Sequence, residues 1–106
     1  MNKKSKALYN AKAKIVKALA HPTRLYITEK LAEREHCVCE FVDSINVDFS
    51  TISKHLSILK EAGIVDDEKR GKQVFYRLKV PCIINFVKCI EDVIKSNADY
   101  HMALIK

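Results

Sequence analysis

Hydrophobic and polar positions follow helical spacing along most of this chain. The clearest case is Asp48–Gly63, in which Ile52, Leu56 and Leu59 fall at i, i+4 and i+7. This spacing places the three side chains on one face of a helix. The stretch begins with an aspartate, which can cap a helix, and ends with a glycine, which can close one in the left-handed conformation. We therefore predict an amphipathic helix whose apolar face is buried.

The polar side chains near the start of this helix lie off its apolar face. They are short hydrogen-bonding groups and a cation, able to reach base edges and phosphates. The recognition helix of a helix-turn-helix protein presents such a leading edge to the major groove. A solvated face of an ordinary helix gives the same pattern, so the neighbouring elements must decide. The candidate DNA contacts here are Ser50, Thr51, Ser53, Lys54 and His55.

The chain before this helix predicts three others. Residues 3–17 carry six lysines and no carboxylate above an apolar stripe, which indicates a basic amphipathic helix. Its lysines either attract DNA or are simply solvated. Pro22 fits the first turn of a second helix, with His21 at the helix start. A third, short helix ends near Ser44, and a turn at Ile45–Val47 leads into the amphipathic helix, which completes a helix-turn-helix.

Two strand-like arms follow, Val65–Lys69 and Gln73–Leu78. The second arm alternates apolar and other side chains, and Arg70-Gly71-Lys72 between the arms suits a tight hairpin turn. A basic hairpin directly after a helix-turn-helix is a wing, which contacts phosphates or the minor groove. The candidate DNA contacts of the wing are Lys69, Arg70, Lys72 and Gln73.

A last helix is predicted from Pro81, with a broad apolar band. The band comprises Ile83, Phe86, Val87, Ile90, Val93 and Ile94. Little chain remains to cover it, so we expect a homodimer through the first and last helices. A two-fold pair presents its recognition helices about 34 Å apart, one turn of duplex. The predicted fold is one domain over residues 1–106, mainly α with a small β-hairpin, a winged helix-turn-helix of order α-α-α-α-β-β-α.

The composition of the chain indicates which classes of partner it can bind. The 106 residues carry a net charge of +6, which favours nucleic acid, with an acidic membrane surface second. No apolar run approaches the roughly 20 residues that span a bilayer, and the first residues lack the apolar core of a signal peptide. We therefore expect a cytoplasmic protein without a membrane partner. No glycine-rich phosphate loop and no catalytic triad or paired-carboxylate pattern is evident, so we expect neither an enzyme nor an organic cofactor.

The blocks Ala18–Leu25, Ser50–Leu56, Leu59–Val65 and Gly71–Leu78 resemble the ArsR/SmtB family of dimeric winged-helix repressors. The resemblance covers about residues 12 to 95. It implies a dimer bound to operator DNA that an inducer ion or an oxidant releases. The histidine- and aspartate-rich zinc site of other members is not recognisable on the last helix, because Asp92, Asp99 and His101 have a different spacing. Zinc, nickel and cobalt therefore rank lower as inducers.

The same family carries Glu-Leu-Cys-Val-Cys-Asp-Leu in many of its arsenic, cadmium and lead sensors. Glu35-His36-Cys37-Val38-Cys39-Glu40-Phe41 is similar to that motif, and the resemblance implies that Cys37 and Cys39 are ligands. A third cysteine that some arsenite sensors add is replaced by Val42. His36 is either a supporting hydrogen-bond donor or, as we expect, an exposed side chain.

Four cysteines without a signal peptide favour free thiols, metal ligands or redox groups over a disulfide framework. Thiolates select soft ions, and As(III) or Sb(III) takes three sulfurs. Cys37 and Cys39 offer two. Cys82 and Cys89 are the other thiols, each of which is either core packing or a ligand. On one helix they stand roughly 10 Å apart along the axis, too far to bridge each other. Our hypothesis is that one of them completes the site, from the same subunit or the other.

The predicted function is therefore an operator-binding repressor that is released when As(III) or Sb(III), or alternatively Cd(II) or Pb(II), binds the thiolates. In this mechanism, drawing a thiol of the last helix towards Cys37 and Cys39 strains the two recognition helices relative to each other. The coupling required is about 1–3 kcal/mol. One alternative is a repressor of the same fold that senses oxidants or persulfides through its thiols. A more distant alternative is a cysteine-based metal buffer.

Overall fold

A computed structural model of the protein describes residues 1–105. It confirms a mainly helical winged helix-turn-helix and adds a short strand to the predicted order. The elements in chain order are α1 (Lys3–Leu19), α2 (Pro22–Glu33), β1 (His36–Cys37), α3 (Val38–Ile45), α4 (Phe49–Glu61), β2 (Val65–Arg70), β3 (Gln73–Leu78) and α5 (Ile83–Ile105). None of the described helices is both long enough and apolar enough to cross a membrane.

Local hydrogen bonds set the starts of the first two helices. The side chain of Asn2 accepts a hydrogen bond from the backbone N–H of Ser5 at 2.8 Å, which caps α1. His21 caps α2 in the same way, with Nδ1 accepting from the N–H of Thr23 at 3.1 Å. Pro22 occupies the first turn, where its missing N–H leaves no bond unmade. His21 is thus a helix-start residue, as predicted.

The predicted apolar face of α4 lies at the centre of the core. Ile52, Leu56 and Leu59 are fully buried, together with Phe41 of α3 and Ile27 of α2. Burying each such side chain contributes about 1.5–3 kcal/mol, so this cluster provides much of the folding free energy. It holds α4 in place against α2 and α3, with its N-terminal turns at the surface.

Two backbone positions with positive φ end the two helices of the helix-turn-helix. Asn46 ends α3 in the left-handed conformation at φ 61°, and Gly63 follows α4 at φ 82°. Asparagine and glycine are the residues that tolerate this region best. The turn between α3 and α4 and the end of the recognition helix therefore lie where the sequence places them.

The wing is part of a three-stranded antiparallel sheet of order β1-β3-β2. β2 and β3 form the predicted hairpin, and Gly71 in its turn has φ 64°. β1 pairs with β3 on the other side, with His36 opposite Tyr76 and Cys37 opposite Phe75. We predicted only two strands, because a strand of two residues shows no periodicity. The cysteine motif is therefore hydrogen-bonded to the wing.

The last helix begins at Ile83, two residues later than predicted, so that Pro81 and Cys82 lie in the turn before it. Val87 is buried against the core. Most of the predicted band is nevertheless exposed, and so are apolar side chains of α1. The large exposed apolar side chains on the two helices include Leu8, Ile15, Val16, Phe86, Ile90, Val93 and Ile94. We name this set the α1–α5 apolar surface.

Candidate nucleic-acid interface and cysteine site

The N-terminal turns of α4 present the predicted recognition side chains. Ser50, Thr51 and Lys54 are exposed, and Ser53 is half-buried. The hydroxyl of Ser50 donates to the carboxylate of Asp48 at 2.7 Å, and that of Thr51 donates to the other carboxylate oxygen. These two hydrogen bonds lower the pKa of Asp48. Because the hydroxyl protons are used locally, the oxygens remain free to accept hydrogen bonds, such as those from the amino groups of adenine and cytosine.

His55 has a different environment from the other candidate DNA contacts. Its Nδ1 lies 3.0 Å from Nη1 of Arg24, and its ring centroid is 4.4 Å from that of His21. Burial lowers the pKa of His55, and the positive charges of His21, Arg24 and Lys54 lower it further. The neutral ring therefore accepts from Arg24, which leaves only Nε2–H for an outside partner. His55 chiefly fastens α4 to α2.

Arg24 is a positioning residue that sequence reasoning missed. Its Nε donates to the backbone carbonyl of Ala18 at 2.6 Å, while Nη1 reaches His55. One guanidinium therefore connects α1, α2 and the recognition helix. Arg24 lies within the block that carries the family resemblance, and this was the only signal in the sequence.

The four candidate contacts of the wing are all exposed. Three of them are cations, and these differ in whether a carboxylate of the protein already pairs with them. Arg70 lies 2.9 Å from carboxylate oxygens of both Glu35 and Glu68. Lys69 and Lys72 form no ion pair within residues 1–105. The lysines are therefore the cations of the wing tip with no carboxylate already bound to them.

Ion pairs also attach the wing to the recognition helix. Lys60, in the last turn of α4, lies 2.9 Å from the carboxylate of Asp67 in β2. Asp67 raises the pKa of Lys60 through this hydrogen bond and its negative charge. On the same strand Asp66 pairs with Arg77 of β3 at 3.4 Å. The orientation of the wing is thereby linked to that of α4.

Cys37 and Cys39 are joined by a disulfide, a bond that we did not predict for this pair but that is compatible with the redox groups we considered. Cys37 is buried at the end of β1 and is the N-cap of α3, while Cys39 is exposed in the first turn. Because the backbone of Cys37 is extended, its side chain converges with that of Cys39 across a Cα–Cα distance of 5.4 Å. When reduced, the pair can offer two thiolates to one ion.

His36 is buried, which corrects our expectation that it is exposed. Pairing of β1 with β3 turns its ring inwards, where its centroid lies 5.1 Å from that of Phe41. Nδ1 is 2.6 Å from the carboxylate of Glu40, and Nε2 is 3.1 Å from the carbonyl oxygen of Lys30. The imidazole thus connects the end of α2 with the first turn of α3.

Glu40 accepts several hydrogen bonds beside the cysteine pair. It accepts hydrogen bonds from Arg34 at 2.9 Å and from His36, and more weakly from the backbone N–H of Cys37 at 3.4 Å. Burial alone raises the pKa of Glu40, but the hydrogen bonds from Arg34 and His36 outweigh it, so the pKa is lowered. The ionised carboxylate therefore holds the start of α3 in place.

The other two cysteines lie apart from this pair. Cys82 is exposed in the turn before α5, and Cys89 is exposed on α5 itself. Only Cys89 therefore lies on α5, so the helical spacing that we considered for the two thiols does not apply to Cys82. Within residues 1–105 no three histidine, cysteine, aspartate or glutamate side chains are grouped so as to hold a metal ion. Among the described residues of one subunit, Cys37 and Cys39 are therefore the two cysteines whose sulfurs lie together.

The arrangement of α3, α4 and the hairpin defines a winged helix-turn-helix regulator. Residues 21–67 match the family described as "Bacterial regulatory protein, arsR family". An uncharacterized HTH-type transcriptional regulator of Methanocaldococcus jannaschii is 40% identical over 86 residues, which cover 80% of this chain and 97% of that protein. The chain belongs to the ArsR family. The family and this relative are described as transcriptional regulators and not as enzymes.

Two further relatives extend the comparison. The HTH-type transcriptional repressor SmtB of Mycobacterium tuberculosis is 42% identical over 71 residues, which cover 67% of this chain but only 53% of that protein. The homodimeric winged helix-turn-helix DNA-binding domain of a possible ArsR-family regulator from Mycobacterium bovis superimposes with a TM-score of 0.80. That match has 26% identity and covers 95% of this chain and 94% of that domain.

Proposed function

We propose that this protein is a homodimeric repressor that leaves its operator when a thiophilic ion binds Cys37 and Cys39. The observation that carries the proposal is the convergence of these two sulfurs at the start of α3, directly before the recognition helix. Soft ions select thiolates, and As(III) or Sb(III) is favoured, with Cd(II) and Pb(II) as alternatives. The similarity to a repressor supports the direction of the response.

DNA binding is assigned to the exposed turns of α4 and to the wing tip. The side chains of α4 supply hydrogen-bond acceptors and one cation for the major groove, while Lys69, Lys72 and Gln73 meet the backbone. We assign a positioning role to His55 and Arg70, because their polar groups are largely engaged within the protein. Replacing Ser53 and Lys54 by Ala should weaken binding to the promoter of the protein's own gene. Unchanged binding would place the DNA contacts elsewhere, and a wild type that does not bind the promoter would favour the metal-buffer alternative.

The homodimer is assigned to the α1–α5 apolar surface. Exposed apolar patches of this extent on monomeric proteins commonly mark an interface. The homodimeric state of the Mycobacterium bovis domain supports the same assignment. Val93→Glu, which buries a charge in the proposed interface, should give a monomer in analytical ultracentrifugation. Lys95→Glu on the same helix is the matched control and should remain a dimer.

We assign the third ligand of a trivalent ion to either Cys82 or Cys89. Both thiols are exposed, and α5 belongs to the proposed dimer surface, so the partner's helix can supply one of them. Cys82→Ser and Cys89→Ser should separate the two, since the variant that lacks the ligand should need more As(III) for release. Equal responses of both variants and of the wild type would assign the third position to a non-protein ligand.

Fluorescence anisotropy of the operator complex tests the proposed function. The reduced protein is titrated on labelled promoter DNA with As(III), Sb(III), Cd(II), Pb(II) and Zn(II). Cys37→Ser and Cys39→Ser should bind DNA as well as the wild type but should not be released by As(III). Release that persists when both residues are replaced would show that the sensor lies elsewhere.

The disulfide favours a second candidate, a repressor that senses oxidants. In that reaction the two thiols lose two protons and two electrons to form the Cys37–Cys39 bond, and one hydrogen peroxide is reduced to two waters. The two candidate functions differ in the reagent that releases the protein from DNA. Peroxide without metal should release DNA only if the switch is redox, and As(III) with a reductant present should release it only if the switch is a metalloid site.

A further inference from the structure

The cysteine pair and the wing tip share one cavity. It has a volume of about 150 Å³ and lies between the start of α3, the start of α4 and the turn of the hairpin. Cys37 and Cys39 line one part of it, and Lys72 and Gln73 of the wing line another, with Phe49 of α4 between the elements. The sulfurs therefore adjoin two of the side chains assigned to DNA.

Backbone pairing connects the same two regions. Cys37 lies opposite Phe75 in the β1–β3 ladder, and Phe75 in turn lies opposite Glu68 of β2. The guanidinium of Arg70 stacks on the ring of Phe75, with its central carbon 4.7 Å from the centroid. A displacement of β1 therefore acts directly on the strand that carries the wing.

Ion pairs of Glu35 also connect the cysteine segment to the wing. Glu35, two residues before Cys37, lies 2.9 Å from Arg70 and 3.9 Å from Arg77. Arg70 belongs to β2 and Arg77 to β3, so a single side chain of the cysteine segment contacts both strands of the wing. All these groups are partly exposed, so the pairs matter here for geometry more than for stability.

We propose that the cysteine site controls DNA binding through the wing, and that Glu35 is the positioning residue that links them. The inference rests on the proposed function and replaces the predicted route through the last helix with a shorter one. An ion held by the two sulfurs beside this cavity crowds Lys72 and Gln73, and Glu35 transmits the displacement of β1 to Arg70. Packed interiors transmit such shifts because they contain little free volume.

Hydrogen exchange and operator binding of the full-length dimer test the proposal together. As(III) added to the reduced protein should speed amide exchange in β3 (Gln73–Leu78) at least threefold. Glu35→Gln keeps the shape of the side chain but removes both ion pairs, so it should lower the As(III)-induced loss of operator affinity at least threefold. The matched control is Glu33→Gln, whose carboxylate pairs only with Lys30 among residues 1–105 and at 3.8 Å.

The outcomes separate this inference from the proposed function. Release of DNA by As(III) with unchanged exchange in β3, or with the same fold-change in Glu35→Gln as in the wild type, would overturn the wing route alone. Faster exchange in β3 without release of DNA would overturn both the proposed function and the control of DNA binding, and would leave only a structural link between the cysteine pair and the wing. Protein that binds no As(III) would overturn both.

Discussion

Lys72 and Arg70 of the wing should affect the salt dependence of DNA binding differently, because only Arg70 is already paired with carboxylates of the protein. A cation that binds a phosphate displaces a counterion and contributes about 0.9 to the slope of log K against log salt. Lys72 has no carboxylate partner within residues 1–105, whereas Arg70 is bound to Glu35 and Glu68. In a dimer each substitution acts twice. Lys72→Gln should therefore reduce the slope by about 1.8, while Arg70→Gln should leave it nearly unchanged.

The assay is fluorescence anisotropy of labelled promoter DNA from about 50 to about 300 mM KCl. Lys95→Gln removes an exposed lysine from α5 and is the matched control, with no expected effect on the slope. Arg70→Gln is still expected to weaken binding, because it leaves two carboxylates near the DNA without their cation. Equal reductions of the slope in Lys72→Gln and Arg70→Gln would refute the assignment of roles to these two residues.

Three further predictions concern the helix-turn-helix itself. Burial and the neighbouring cations lower the pKa of His55 below 6.5, so the stability it contributes is complete above that pH and is lost as the pH falls through the folded-state pKa. The urea midpoint of the wild type should therefore fall more than that of His55→Gln between pH 7.5 and 5.5, and parallel curves would contradict this. Gly63→Ala should cost about 1–2 kcal/mol in urea unfolding from its positive φ alone, since no atom lies within 4 Å of the added Cβ. Leu56→Ala should cost about 2–5 kcal/mol in the same assay, because the side chain is fully buried, and a smaller loss would mean that the core relaxes around it.

The helices were predictable because their information is local. The spacing of Ile52, Leu56 and Leu59 is enough to identify the buried face of α4, and Gly63 marks its end. The hairpin was predictable for the same reason, since its arms and its turn are adjacent in sequence. Such patterns need no knowledge of what packs against them.

The features that the sequence did not reveal depend on contacts between distant residues. Strand β1 has only two residues and is a strand because β3 lies beside it, and this pairing buries His36. Likewise, the hydrogen bond between Arg24 and His55 spans 31 positions, and the pair of Glu35 with Arg70 spans the whole helix-turn-helix. No periodicity encodes these pairings. They decide which candidate DNA contacts are free and which are engaged within the protein.

In the proposed function, sulfur chemistry at the start of α3 determines whether the dimer remains bound to DNA. The most direct test is one titration of the reduced protein–operator complex with As(III), in which DNA anisotropy and free thiols are followed together. We expect the anisotropy to fall in proportion to the loss of the Cys37 and Cys39 thiols, and we expect Cys37→Ser to show neither change. Thiols that are fully consumed while the DNA remains bound would contradict it.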